Sequence, residues 1–254
     1  MSKEYTDRTR GFITSTKLRT FLNCPAQYKQ EYMDELDYND EGVHFILGRA
    51  FEDCLRMEKE SFERKYSMLT KSQRETIWRG YAEARRNPEF DPFGEYETGK
   101  TFHADYIAQN GVKFKLRAEL DRYSIDKKKI RDYKFVRDIG KFQWDAEDVY
   151  DYPFQMAFYQ LVEAIANDHP DELYEVSFDV VDKTKNSVSC SFLVDEYKMG
   201  VSRRAVIDAL EFLSEAEKLG EFPGQPPDQR LTKCAKCPIY RLCPKAIQVG
   251  PVSF

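Results

Sequence analysis

Two carboxylates and a lysine, Asp121, Asp132 and Lys134, carry the first chemistry that can be read from this sequence. From Lys113 the apolar residues Phe114, Leu116, Ala118 and Leu120 alternate with Lys113, Lys115, Arg117, Glu119 and Asp121, the period of a half-buried strand. The polar stretch Asp126 to Lys129 predicts a turn. In the IRDYKFV that follows, the same period puts Ile130, Asp132 and Lys134 on one face. If the two strands are neighbours, Asp121 at the end of the first polar face meets Asp132 and Lys134. Two carboxylates can hold a hard divalent cation such as Mg2+, which takes oxygen ligands and keeps some of its waters. A lysine beside such a water can position it for in-line attack on a phosphate whose charge the cation offsets. On spacing alone the same residues also describe a solvated hairpin with surface ion pairs, and such hairpins are the commoner case.

A second set is Cys234-x-x-Cys237-x-x-x-x-x-Cys243, three thiols in a short loop whose collapse Pro238 and Pro244 limit. Thiolates suit both zinc and iron-sulfur clusters, and spacing does not separate the two. Cys54 and Cys190 lie in apolar helix and strand patterns and read as core. The string GEYETGKT, Gly94 to Thr101, spells the phosphate-binding loop G-x-x-x-x-G-K-[ST]. A working loop of that kind follows a buried strand and opens a helix. Here PEFDPF precedes it and the strand-like FHADYIA follows, while Glu95 and Glu97 would set negative charge beside phosphates, so the match reads as coincidence. His44, His103 and His169 show no ligand spacing with one another.

With 254 residues, sixteen Tyr, eighteen Phe and 33% charged residues, the chain has the makings of one soluble domain with a full core. A net charge of −5 excludes a general polyanion coat, so a nucleic acid would need a local patch. Lys113 to Arg137 supplies one, with ten Lys or Arg against four Asp or Glu. No apolar run approaches the roughly twenty residues of a membrane span. The start MSKEYTDRTR has no apolar signal core, so the expected location is the cytoplasm, with no membrane partner. Six cysteines in that reducing compartment are poor disulfide candidates, which favours a metal role for the clustered ones.

The elements that must position these residues follow from periodicity. Thr14, Ser15 or Thr16 caps a helix whose apolar side is Leu18, Phe21 and Leu22, and Pro25 ends or kinks it. A second helix spans about His44 to Lys59, with Leu47, Ala50, Phe51, Cys54 and Leu55 inward. A polar, partly helical segment then runs to about Lys100, broken by NPEFDPFGE, and reads as an insertion over the core. After the two strands come a long helix from about Val149 to Ala166, two strands within LYEVSFDVVDKTKNSVSCSFLVD, and an amphipathic helix from Asp195 to Leu219.

In this order the features resemble the RecB-like branch of the PD-(D/E)XK nuclease superfamily. Its pattern is an Asp closing one strand, Asp/Glu-x-Lys on the next, here Asp121 and Asp132-Tyr133-Lys134, then a helix with Gln-x-x-x-Tyr, here Gln155 to Tyr159. The start, Ser15-x-x-Leu18-x-x-Phe21-x-x-Cys24-Pro25, resembles the entry helix of the same branch, so the matches span nearly the whole chain. Where the family has a metal-ligating His four residues after Gly48, this chain has Glu52, which can bind Mg2+ or Mn2+ or can be a solvent-facing helix charge.

The resemblance implies a restriction-endonuclease-like α/β fold with a central mixed sheet flanked by helices. The chain divides accordingly into entry helices over 1–60, a helical insertion over 61–105, a nuclease core over 106–222 and a cysteine-rich tail over 223–254. It implies a Mg2+- or Mn2+-dependent deoxyribonuclease, an exonuclease of DNA repair, phage recombination or CRISPR adaptation, acting on single strands or DNA ends alone or beside a helicase, recombination or CRISPR-adaptation partner. Asp121, Asp132 and Lys134 would be catalytic, with Glu52, Asp121 and Asp132 on the metal. Gln155 and Tyr159, which share a helical face, would place the DNA strand and order the lysine. Arg117, Arg122 and Lys127 to Lys129 are the candidate phosphate contacts. Tyr150 and Tyr152 are candidates to stack on bases, with core packing as the ordinary alternative. In the iron-sulfur subset of this branch, one early and three late cysteines hold a [4Fe-4S] cluster, which makes Cys24 the partner of Cys234, Cys237 and Cys243; zinc is the competitor. The other class of function open to such a chain is a nuclease-like protein that binds DNA or a partner without cutting.

Overall fold

The computed structural model describes residues 9–35, 42–90, 96–144, 146, 151–169, 173–226, 232–234, 237–239 and 243. Helix α1 (Ser15–Asn23) begins where expected, because the Thr14 hydroxyl accepts the Lys17 N–H at 3.3 Å. Leu18 and Phe21 are buried as its apolar side, but Leu22 is 45% exposed, so the inward stripe is narrower than the sequence suggests. Pro25 breaks the helix and opens α2 (Pro25–Tyr28), where its missing N–H costs nothing, and a π-helical turn (Lys29–Met33) follows. Next come α3 (Val43–Arg56), α4 (Lys59–Lys65) and α5 (Lys71–Arg86), the last started by a reciprocal Thr70–Gln73 capping box.

The span expected to be a helical insertion ends in a strand, β1 (Glu97–Ile107), which is a correction to that reading. Buried Phe102 and Ala104 give it an alternating inner face, and strand pairing overrides the polar composition. The Gly99-Lys100-Thr101 part of the phosphate-loop string lies within β1, and Lys100 pairs with Glu97 at 2.6 Å, while Gly94 and Glu95 lie outside the described residues. The other strands are β2 (Lys113–Ser124), β3 (Lys129–Val136), β4 (Glu175–Asp182) and β5 (Ser189–Leu193). Helices α6 (Ile139–Trp144) and α7 (Tyr152–Ala166) lie between β3 and β4, and α8 (Glu196–Leu219) follows β5.

The strands form one five-stranded mixed sheet in the order β1-β2-β3-β4-β5, antiparallel between β2 and β3, parallel between β3 and β4, and antiparallel between β4 and β5. Parallel neighbours need a long crossover, and α7 lies within it. This flanked mixed sheet is the restriction-endonuclease-like fold anticipated from the sequence.

The chain divides into two compact units, Met1–Asp40 with Ala104–Arg117 and Arg204–Phe254, and Glu41–His103 with Ala118–Arg203. In the second unit Ala50, Phe51 and Cys54 of α3, Phe62 of α4, and Ile77 and Ala84 of α5 pack with Tyr133 and Phe135 of β3 and Val181 of β4. Phe51 stacks on Phe135 with centroids 4.4 Å apart. Gly80 of α5 permits that stack, since a Cβ there would lie 2.7 Å from the Phe135 ring. On α7, Phe154, Met156, Ala157, Phe158 and Val162 are all buried.

In the first unit Ile13 forms a parallel bridge to Leu116, and the Lys17 ammonium donates to the carbonyls of Thr9 at 2.8 Å and Phe12 at 3.0 Å. Phe222 stacks on Tyr28 at 6.2 Å, the Ala26 N–H donates to Pro223 O at 3.1 Å, and the Gln225 amide donates to Asn23 O. Residues 222–225 therefore close onto the first helices.

Candidate active site

Strands β2 and β3 stay in register up to the pair Arg122↔Arg131; one residue beyond it on each strand stand Asp121 and Asp132. There the Asp121 carboxylate takes the Tyr133 N–H, at 2.9 Å to Oδ2. Asp121 does not end its strand, since β2 continues to Ser124.

Lys134 follows Asp132 at the two-residue period of β3, on the same face, and its ammonium is ion-paired with Asp132 Oδ2. From α7, the Gln155 side-chain amide donates to Asp132 Oδ1 at 3.3 Å and to the Tyr159 hydroxyl at 2.6 Å. The four-residue spacing sets Tyr159 against Gln155, and it is Gln155 that reaches the Asp132 carboxylate. Tyr152 stands in the same place, its ring 4.5 Å from the Lys134 ammonium. It also packs against Phe142 and Phe178, while Tyr150 lies outside the described residues.

Glu52 and Arg56 come from the last turns of α3. The Arg56 guanidinium reaches Asp121 Oδ1 at 2.7 Å. Arg56 is a member of the site that sequence reasoning missed. Its only advance signal is its position four residues after Glu52, on the same helical face.

Electrostatics tie the group together. Burial, followed by the charges of Asp121 and Asp132, holds the Glu52 carboxyl well above the usual range against the pull of Lys134 and Arg56. Burial pushes Asp132 up to about 6, with Lys134 opposing and Asp121 adding to the shift. Burial alone would make Lys134 a weaker base, but Asp132 first, then Tyr152 and Asp121, raise it above its ordinary value. Burial and the neighbouring Asp121 charge raise the proton affinity of both Glu52 and Asp132, a load that a hard divalent cation would relieve, so Glu52, Asp121 and Asp132 fit Mg2+ or Mn2+. Among the described residues, no three His, Cys, Asp or Glu side chains are already drawn together at the spacing of a bound ion.

The phosphate-contact candidates fare unevenly. Lys127 and Lys128 are exposed in the turn after β2, and Lys129 pairs with Glu175 at 2.6 Å. Arg117, in the other unit, is half-buried. Arg122 is a correction: it is wholly buried and pairs with Asp179 at 3.3 Å, while Arg131 takes the other Asp179 oxygen at 2.6 Å. Strand alternation was legible, but that the Arg122 face of β2 meets Asp179 of β4 and the Phe90 carbonyl was not.

All six cysteines of the chain are free thiols, and four of them, Cys24, Cys234, Cys237 and Cys243, belong to the first unit. Cys24 is buried at the start of α2, and Cys237 and Cys243 donate their N–H groups to Cys234 O at 3.0 Å and Ile239 O at 2.9 Å. Burial pushes the Cys237 thiol up to about 11, and the charges of Cys24, Glu31 and Cys243 add to that, so these groups are close neighbours. The donor chemistry fits a thiophilic cation, which would offset the same burden.

A mixed sheet with paired strands carrying Asp121 and Asp132-x-Lys134, backed by a Gln-x-x-x-Tyr helix, defines a class of phosphodiester-cleaving folds. The chain belongs to the PD-(D/E)XK nuclease superfamily, whose sequence profile matches residues 13–244. Among solved structures it is similar to a protein described as "Putative exonuclease" from Eubacterium rectale, at TM-score 0.74 and 13% identity over 100% of this chain and 96% of that one, which speaks for the fold. SSO0001 aligns at TM-score 0.37 and 14% identity over 94% of this chain and 99% of its own, too remote to bear on the argument. No curated protein matches the chain significantly.

Proposed function

We propose that this chain is a divalent-metal-dependent deoxyribonuclease that hydrolyses phosphodiester bonds from DNA ends. One observation carries the reading: Asp121, Asp132 and Lys134 stand together at the point where β2 and β3 part, with Gln155 holding Asp132 from α7. Asp121 and Asp132, with Glu52 completing the donor set, would hold Mg2+ or Mn2+, which when bound would supply charge stabilisation at the attacked phosphate and a more acidic water. Lys134 orients that water for in-line attack on phosphorus. The new P–O bond forms as the bond to the leaving sugar oxygen breaks; the attacking water gives up a proton to solvent, and the leaving oxygen takes one from solvent. Gln155 fixes the Asp132 rotamer, and Tyr159 fixes Gln155. Exposed Lys127 and Lys128 supply phosphate contacts. Action at ends rather than within the duplex rests on the likeness to the Eubacterium rectale protein described as "Putative exonuclease". The enzyme works alone on ends or beside a DNA motor.

Cys24, Cys234, Cys237 and Cys243 hold a [4Fe-4S] cluster that fixes the tail to the entry helices. What supports this is the buried Cys24 thiol and the mutual electrostatic load on Cys237. Purification without oxygen, followed by iron, sulfide and zinc analysis, tests the cluster. Iron with matching sulfide, lost in Cys24→Ser, is the expected result; zinc alone would make the site a zinc site, and neither metal would remove it. Incubation of the same preparation with labelled single- and double-stranded DNA and Mn2+ tests the reaction. Cleavage that survives Asp132→Ala and Lys134→Ala would overturn the active-site reading.

A further inference from the structure

Arg56 occupies the position of a cation among the carboxylates. Its Nη2 lies 2.7 Å from Asp121 Oδ1 and 3.4 Å from the Asp121 carbonyl, and 20% of its side chain is exposed. The Nε hydrogen is buried with no acceptor among the described residues, so the guanidinium is incompletely used where it stands. Gly99 makes room for it: a Cβ there would come within 3.3 Å of Nη1, and the backbone has φ +64°, which favours glycine. A surface ion pair needs neither a glycine wall nor a carboxylate that also anchors the Tyr133 N–H.

We propose that Arg56 is the resident countercharge of the metal site: it holds Asp121 while no divalent ion is bound, competes with that ion for Asp121 Oδ1, and so sets how much metal the enzyme needs. The inference rests on the nuclease reading above, which places the ion on Asp121 and Asp132. A guanidinium and a divalent ion cannot both lie within bonding distance of one carboxylate oxygen without strong repulsion, so binding of the ion displaces Arg56 from Oδ1. The freed guanidinium, with its unmatched Nε–H, remains beside the site as a donor for phosphate oxygens. Arg56 is thus a positioning residue that makes metal loading and DNA loading favour each other, since phosphate gives it a partner to replace Asp121.

The test is Mn2+ binding to the full-length protein without DNA, followed by calorimetry and by the spin-resonance signal of free Mn2+. Arg56→Gln is expected to bind Mn2+ about tenfold more tightly than the native protein, Arg56→Lys to stay near native, and the gain to vanish in an Asp121→Asn background. With DNA, Arg56→Gln should cleave at lower Mn2+ but with a raised KM. A folded Arg56→Gln protein, by circular dichroism, that binds Mn2+ no more tightly overturns the inference. If Arg56→Gln fails to fold, tightening in Arg56→Lys instead of native-like binding overturns it equally. Native protein whose Mn2+ binding is indifferent to Asp132→Ala would overturn the nuclease reading itself, a different result from binding that depends on Asp132 and ignores Arg56.

Discussion

The Asp121 carboxylate takes the backbone N–H of Tyr133 at 2.9 Å, so a side chain stands where a rung of the β2–β3 ladder would be. This bond aims the carboxylate at the point where the two strands part. Asp121→Asn keeps an acceptor for Tyr133 and should retain the fold while losing cleavage by at least about a hundredfold. Asp121→Ala leaves the N–H unmatched and should cost about 1–3 kcal/mol more in thermal or urea unfolding. Equal stability of the two variants would show that the bond contributes nothing to the fold.

Asp132 and Lys134 form a pair of which 4% and 16% of the side chains are exposed. Removing one partner strands the other charge, so Asp132→Asn and Lys134→Met should each destabilise by roughly 3–5 kcal/mol, whereas the double variant should recover much of that loss. Cleavage should be absent from all three. An active double variant, measured on labelled DNA, would exclude both residues from the chemistry.

The basic residues divide by burial. Lys127→Ala and Lys128→Ala should each lower the slope of log affinity against log salt by about one, as expected when a phosphate contact is lost. Arg122 pairs inside the protein with Asp179, so Asp179→Ala, which strands Arg122 and Arg131 together, should cost about 3–5 kcal/mol of stability and leave the salt slope alone. DNA titrations at several salt concentrations, with a denaturation curve for each variant, check both.

Burial lowers Lys17 from 10.5 to about 8, only partly opposed by Glu35. The unfolded chain binds this proton more tightly than the folded one. The Lys17 contribution therefore opposes folding below about pH 8, and stability from this group rises as pH climbs from 8 towards 10.5. Native protein should gain stability relative to Lys17→Met across that window, by about 3 kcal/mol at most. Parallel urea titrations at pH 7 and pH 10 measure it, and a constant difference would refute the shift.

The sequence by itself determined the elements and much of the site. Period-two alternation from Phe114 to Leu120 and from Ile130 to Lys134 placed Asp132 and Lys134 on one face, and the four-residue spacing placed Gln155 over Tyr159, because these follow from local backbone geometry. The Thr14 cap and the Pro25 break are local in the same sense. Only the tertiary structure decided what lies across the chain. A composition that read as insertion became β1 because it has a strand to pair with, and Leu22 faces outward because no neighbour among the described residues covers it. Arg122 lies away from the phosphate role its type suggested, and Arg56, to which the sequence assigned nothing, joins the site. Arg122, next to Asp121 in sequence, points to the opposite face and is buried against Asp179, whereas Arg56, on a helix 65 residues away, reaches Asp121. A periodicity states which residues share a face, and only packing states what that face meets.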